Sequence, residues 1–148
     1  MEDKDYMLLA LKEAKKAFKE KEVPVGAILV IGDKIYSAHN KREKKNDISS
    51  HAEIEVIKKA EKDLNNWLLP SASLFVTLEP CLMCAGAIAQ AHIKRLVYAA
   101  SDPSMGAITS HYYVYDDPKD GYHPLVNVGI CQKESEALLK EFFASIRK

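Results

Sequence analysis

Apolar positions along the chain recur first at helical spacing and then at strand spacing. Over residues 4–20, Leu11, Ala14 and Phe18 fall on one side and lysines on the other, which predicts an amphipathic helix. The short β-branched run at 25–31 predicts a strand buried on both faces. Gly32-Asp33 then turns the chain into a second strand near 34–38. The polar stretch 41–50, KREKKNDISS, reads as a loop, and a second helix is expected over 51–62. A strand follows at 73–78, then a helix opened by Pro80 and running to about 91, then strands at 95–100 and 125–130. The last helix is expected over 135–146, with Leu138, Leu139, Phe142 and Phe143 on one side. Strands alternating with helices predict a layered α/β domain around a partly parallel sheet.

The length of 148 residues fits one domain, and 47% hydrophobic residues can build its core. With 21 basic and 21 acidic residues there is no global field to attract nucleic acid, so any polyanion contact must come from a local patch. No apolar run approaches the roughly 18 residues that a membrane helix needs. The start, MEDKDY, lacks the apolar stretch of a signal peptide. A cytoplasmic protein is expected. Three cysteines in such a chain do not make a disulfide framework. Cys81 and Cys84 have CxxC spacing, while Cys131 stands alone on an expected strand, as a packed small hydrophobe rather than a ligand.

Two segments carry the chemistry: His51-Ala52-Glu53 and Pro80-Cys81-Leu82-Met83-Cys84. Residues two apart on a helix face nearly opposite sides, so His51 and Glu53 share a site only where the chain enters a helix. The macrodipole at the start of the second helix favours negative charge on Cys81 and Cys84, and thiolates are the zinc-binding form. One imidazole and two thiolates leave the fourth tetrahedral position open, the mark of a catalytic rather than a structural zinc site. Such a metal brings water to a pKa of roughly 7, and a carboxylate that is not a ligand, here Glu53, then moves the proton. Each piece has a plainer reading: a redox or packed pair for the CxxC, a helix-start residue for His51. For Glu53 it is a capping box, Ser50-x-x-Glu53. Together and in this order, the HxE and PCxxC segments match the signature of zinc deaminases.

On these residues the chain resembles the bacterial tRNA-specific adenosine deaminase family, within the cytidine deaminase-like superfamily. The resemblance runs from the first helix to the last. It is carried by Glu22-Val23-Pro24-Val25-Gly26-Ala27, by His51-Ala52-Glu53-Ile54, by the stretch from Leu78 to Ala87, and by the final Phe142-Phe143. It implies a three-layer α/β/α fold with a mixed five-stranded sheet, one zinc ion per chain and a homodimer. It also implies that Asn40 and the backbone of Ala52 hydrogen-bond the target base and that Val25 and Leu78 wall the pocket. Where the family commonly carries Asp-x-Lys-x-Gly-Ala, this chain has Asp102-Pro103-Ser104-Met105-Gly106-Ala107, so Ser104 replaces the lysine. The basic tail is short, ending at Arg147-Lys148, and residues 112–123 are acidic and tyrosine-rich.

The expected reaction is hydrolytic deamination of adenosine to inosine at the wobble position of a tRNA anticodon loop. Lys41, Arg42, Lys44 and Lys45, directly after Asn40, are the candidate phosphate contacts, with Asp102 a further candidate contact to the RNA. Read as a plain charge run, the four cations would be a solvated loop. Two rivals remain at this point: a deaminase of free nucleobases or nucleosides (guanine, cytosine or cytidine), and a non-catalytic module with structural zinc. Glu53 and the three-ligand count speak against the second.

Overall fold

A computed structural model describes residues 1–116 and 121–146. Helix α1 (Asp3–Lys19) leads into β1 (Gly26–Ile31) and β2 (Lys34–His39), followed by a one-turn helix α2 (Arg42–Lys45) and α3 (Ala52–Leu64). Then come β3 (Ser73–Leu78), α4 (Leu82–Gln90), β4 (Arg95–Ala100), β5 (Leu125–Val128) and α5 (Gln132–Ile146).

The strands form one sheet in the order β2-β1-β3-β4-β5. β1 runs antiparallel to both β2 and β3, whereas β3, β4 and β5 are mutually parallel. Gly32 takes a φ of 61° in the two-residue turn that pairs Ile31 with Lys34, a conformation open to glycine. Alternation along the strands divides the core. Ala27, Leu29, Leu74, Val76, Leu96 and Tyr98 face α3 and α4 and pack on Val56, Ala60, Ala85 and Ile88. Ile28, Phe75, Val97 and Ala99 face the other way, onto Met7 and Ala10 of α1. Helices on both faces of a mixed five-stranded sheet give the expected three layers.

The departures from expectation lie at element ends. The 41–50 stretch contains α2, whose last residue is followed by Asn46 at φ 50°, the left-handed stop that asparagine tolerates. The final strand ends at Val128, because Gly129 (φ 103°) and Cys131 (φ 60°) turn the chain directly into α5. Cys131 therefore lies at a helix entry and not on a strand. α5 is seated beside α1 by Phe142, which meets Phe18 edge-on with ring centroids 5.7 Å apart, and is tied to β3 by the Ser135 hydroxyl, which donates to the Thr77 carbonyl at 2.5 Å. Arg147-Lys148 and part of the 112–123 stretch lie outside the described residues. Among the described residues no helix is long and apolar enough to cross a membrane.

Candidate active site

His51 and Cys81 occupy equivalent places. Each is the N-cap of a helix, α3 and α4 respectively, with an extended backbone and no hydrogen bond from its side chain to the first turn. An N-cap side chain ordinarily turns back onto the helix; these two turn toward each other. Cys84, in the first turn of α4, completes the group from beneath and is fully buried. The His51 Nδ1 atom lies 3.5 Å from the Cys84 Sγ and 3.7 Å from the Cys81 Sγ, and the three donor atoms lie within 4.8 Å of one another. Tetrahedral zinc with ordinary Zn–N and Zn–S lengths has N···S edges of about 3.6 Å. The donor set and its spacing fit that ion.

The capping-box reading of Glu53 is not realised. The cap of α3 is His51, and Ser50 lies one residue before it. Glu53 instead lines the cavity at 4% exposure. Burial pushes its carboxyl up to about 7; a cation beside it would oppose that push. Hydrogen bonding from Cys84 pulls Cys81 down to about 3, and the same contact together with burial raises Cys84. A bound metal would displace the thiol protons and hold both sulfurs as thiolates.

A cavity of about 490 Å³ opens above this cluster, within the size range of small-ligand sites. It brings together Val25, Asn40, Arg42, His51, Glu53, Leu78, Cys81 and Asp102 from the sequence reading. Ala52 is fully buried between His51 and Glu53 and does not line it. Asn40 is held by its backbone N–H on the Val25 carbonyl at 3.1 Å. Among the described residues its side-chain amide has no hydrogen-bond partner.

Arg42 lines the cavity, Lys41 and Lys44 are its near neighbours in sequence, and none of the three has an ion-pair partner among the described residues. Lys45 does: its ammonium lies 2.9 and 3.0 Å from the two oxygens of the nearly buried Glu55. In Asp102, Oδ1 accepts from the Ser104 N–H at 3.2 Å, the Ser104 hydroxyl at 3.0 Å and the Met105 N–H at 3.2 Å. Sequence reasoning missed Leu139 and Phe143 as cavity residues, which reach it from α5, and the part that Ser101, Pro103, Ser104 and Met105 play beside Asp102 in its wall. It also missed Glu22. That carboxylate is 1% exposed and accepts the N–H groups of Glu43 at 3.0 Å and Lys44 at 2.7 Å, pinning the start of α2 beside the pocket. Nothing local marks it, because its partners lie more than twenty residues on.

The family model for MafB19-like deaminase matches residues 1–147. The tRNA-specific adenosine deaminase of Agrobacterium fabrum is 43% identical over 143 residues, covering 96% of this chain and 94% of its own. This chain belongs to the MafB19-like deaminases and to the tRNA-specific adenosine deaminases. A solved tRNA:A34 deaminase, studied for A-to-I editing at the wobble position of transfer RNA, superposes on this deaminase with a TM-score of 0.88 and 42% identity. The match covers 90% of this chain and 98% of that one. A guanine deaminase from Nitrosomonas europaea shares the fold, with a TM-score of 0.81, at 21% identity over 95% of this deaminase and 84% of its own chain.

Proposed function

We propose that this chain hydrolyses adenosine to inosine at the wobble position of a tRNA anticodon loop, using a zinc ion held by His51, Cys81 and Cys84, with Glu53 as its proton carrier. The convergence of His51, Glu53 and Cys81 at the floor of one cavity, with Cys84 buried against His51 and Cys81, carries the reading. When bound, zinc supplies the Lewis acidity that lets water attack near neutral pH. Glu53 takes the proton from the attacking water and delivers it to the departing amine, which leaves as ammonia. Val25 and Leu78 give the ring apolar walls. The family resemblance carries a base contact to the backbone N–H of Ala52, which is in the first turn of α3 and so without a partner inside the helix, although the residue itself is buried between two that line the cavity. The Asn40 amide offers both a donor and an acceptor to its edge. The family resemblance supports a single domain working in the cytoplasm as a homodimer. Free nucleobases are not favoured as substrates: the guanine deaminase shares only the fold, while the relative named for tRNA is twice as similar.

Asn40→Ala is expected to lower kcat/KM for every substrate about 10- to 100-fold, since it leaves a polar base edge unpaired in the pocket. Zinc content should not change. Steady-state kinetics with elemental analysis checks this, and unaltered kinetics would remove Asn40 from base recognition.

Incubating the pure protein with total tRNA and, separately, with free nucleosides and bases tests the function itself, with inosine and ammonia as readouts. Inosine is expected in tRNA. Equal turnover of free nucleosides would replace the tRNA reading with a small-molecule deaminase. Phosphate contacts on a single strand each contribute about −0.7 to the slope of log affinity against log salt. The double variant Arg42→Ala, Lys44→Ala is therefore expected to flatten that slope by up to about 1.4 in tRNA-binding titrations. Lys45→Ala should flatten it less, because Lys45 is already held by Glu55. No change in the double variant's slope would move the phosphate contacts elsewhere.

A further inference from the structure

Glu79 stands beside the metal segment in sequence, yet its carboxylate points to a different task. It is 3% exposed. Its Oε1 accepts the N–H of Asp102 at 3.0 Å and also the Ser110 hydroxyl. Its Oε2 accepts three successive N–H groups, from Ile108 at 3.0 Å, Thr109 at 2.8 Å and Ser110 at 3.1 Å. These donors come from both ends of one segment, 102–110, which has no helix or strand of its own. The same segment is tied again by the Ala107 N–H on the Pro80 carbonyl at 2.9 Å. Gly106 packs so close that a Cβ there would collide with the Glu79 carboxyl and with the Asp102 carbonyl.

A buried charge without a cationic partner is costly unless fixed dipoles replace its water. Here five donors do so, and all of them belong to the segment being held. An irregular stretch of this length would otherwise sample many conformations and leave its N–H groups unpaired. Asp102, Pro103, Ser104 and Met105 of that stretch line the active-site cavity.

We infer that Glu79 is a positioning residue for substrate. By gathering residues 102–110 around one carboxylate it sets the cavity wall that the substrate meets, and it governs binding rather than the chemical step. The kinetic part of this inference rests on the deamination reading; the structural part does not.

Glu79→Gln tests it, because the amide turns an NH₂ group toward N–H donors. Backbone hydrogen exchange at Ile108, Thr109 and Ser110 is expected to speed up at least about tenfold. KM for an anticodon stem-loop should rise about tenfold or more while kcat stays within about threefold of wild type, the signature of lost uniform binding. Zinc stoichiometry should be unchanged. Gly106→Ala should give the same pattern by forcing the segment off an intact carboxylate, and it carries the test should the glutamine variant fail to fold. Unchanged exchange, or a fall in kcat at constant KM, overturns the inference; the latter would mean that Glu79 acts through neighbouring Cys81. If the wild-type protein turns over a nucleoside but not the stem-loop, the tRNA reading fails, and the same KM comparison on the nucleoside decides the role of Glu79. If it turns over neither, the deamination reading fails, and the exchange rates decide whether Glu79 holds the segment.

Discussion

Glu53→Gln is expected to cut deamination at least about 10²-fold, the low end of what a positioned acid–base group contributes. Zinc content and melting temperature should stay near wild type. The glutamine keeps the volume of a side chain that is 4% exposed, so the packing at the start of α3 is preserved. It cannot accept a proton. Rates of inosine formation, elemental analysis and a thermal melt on the same preparation separate the alternatives. Full activity would reduce Glu53 to a structural residue. A large loss of zinc would make it a ligand.

Cys84→Ala is expected to strip the metal, abolish turnover and lower the melting temperature. Cys84 is the fully buried member of the proposed ligand group, and its sulfur lies 3.5 Å from the imidazole nitrogen. Metal that binds only the folded chain adds its binding free energy to stability, about 4 kcal/mol when free metal exceeds its dissociation constant a thousandfold. A chelator should therefore destabilise the wild-type protein and leave the alanine variant unmoved. Elemental analysis decides the assignment, and full zinc retention in the variant would end it.

The layered fold and the cluster of His51, Cys81 and Cys84 were legible because both are written in local patterns. The unbroken apolar runs around Ile28-Leu29-Val30 and Leu74-Phe75-Val76 and the two short motifs need only their neighbours to be read. What was not legible depends on distance. Ser50 and Glu53 have the spacing of a capping box, but the cap fell on His51, whose side chain turns to two cysteines thirty residues away. Lys45 looked equivalent to Lys44 in an unbroken charge run, yet its ammonium is taken by Glu55 across the next turn. Glu22 and Glu79 look like ordinary surface acids; their partners include backbone N–H groups more than twenty residues away, at the start of α2 and in the 102–110 segment, and no side-chain pattern announces those. Leu139 and Phe143 fitted a packed helix face and are also cavity wall, because the fold brings α5 against the site.

The cavity floor rests on the first turns of α3 and α4, both anchored in the core beneath the sheet. Besides Val23, Val25, Leu78 and Glu79, its sides are drawn from three separate places: the stretch around α2, the segment after β4, and α5. An insertion or exchange of residues in any of the three alters which molecule fits without shifting a donor atom at the floor. This architecture divides the evolutionary labour. Reactivity can stay constant while the choice of substrate drifts, so a library confined to residues 101–110 and to Leu139 and Phe143 should yield altered selectivity at undiminished metal content.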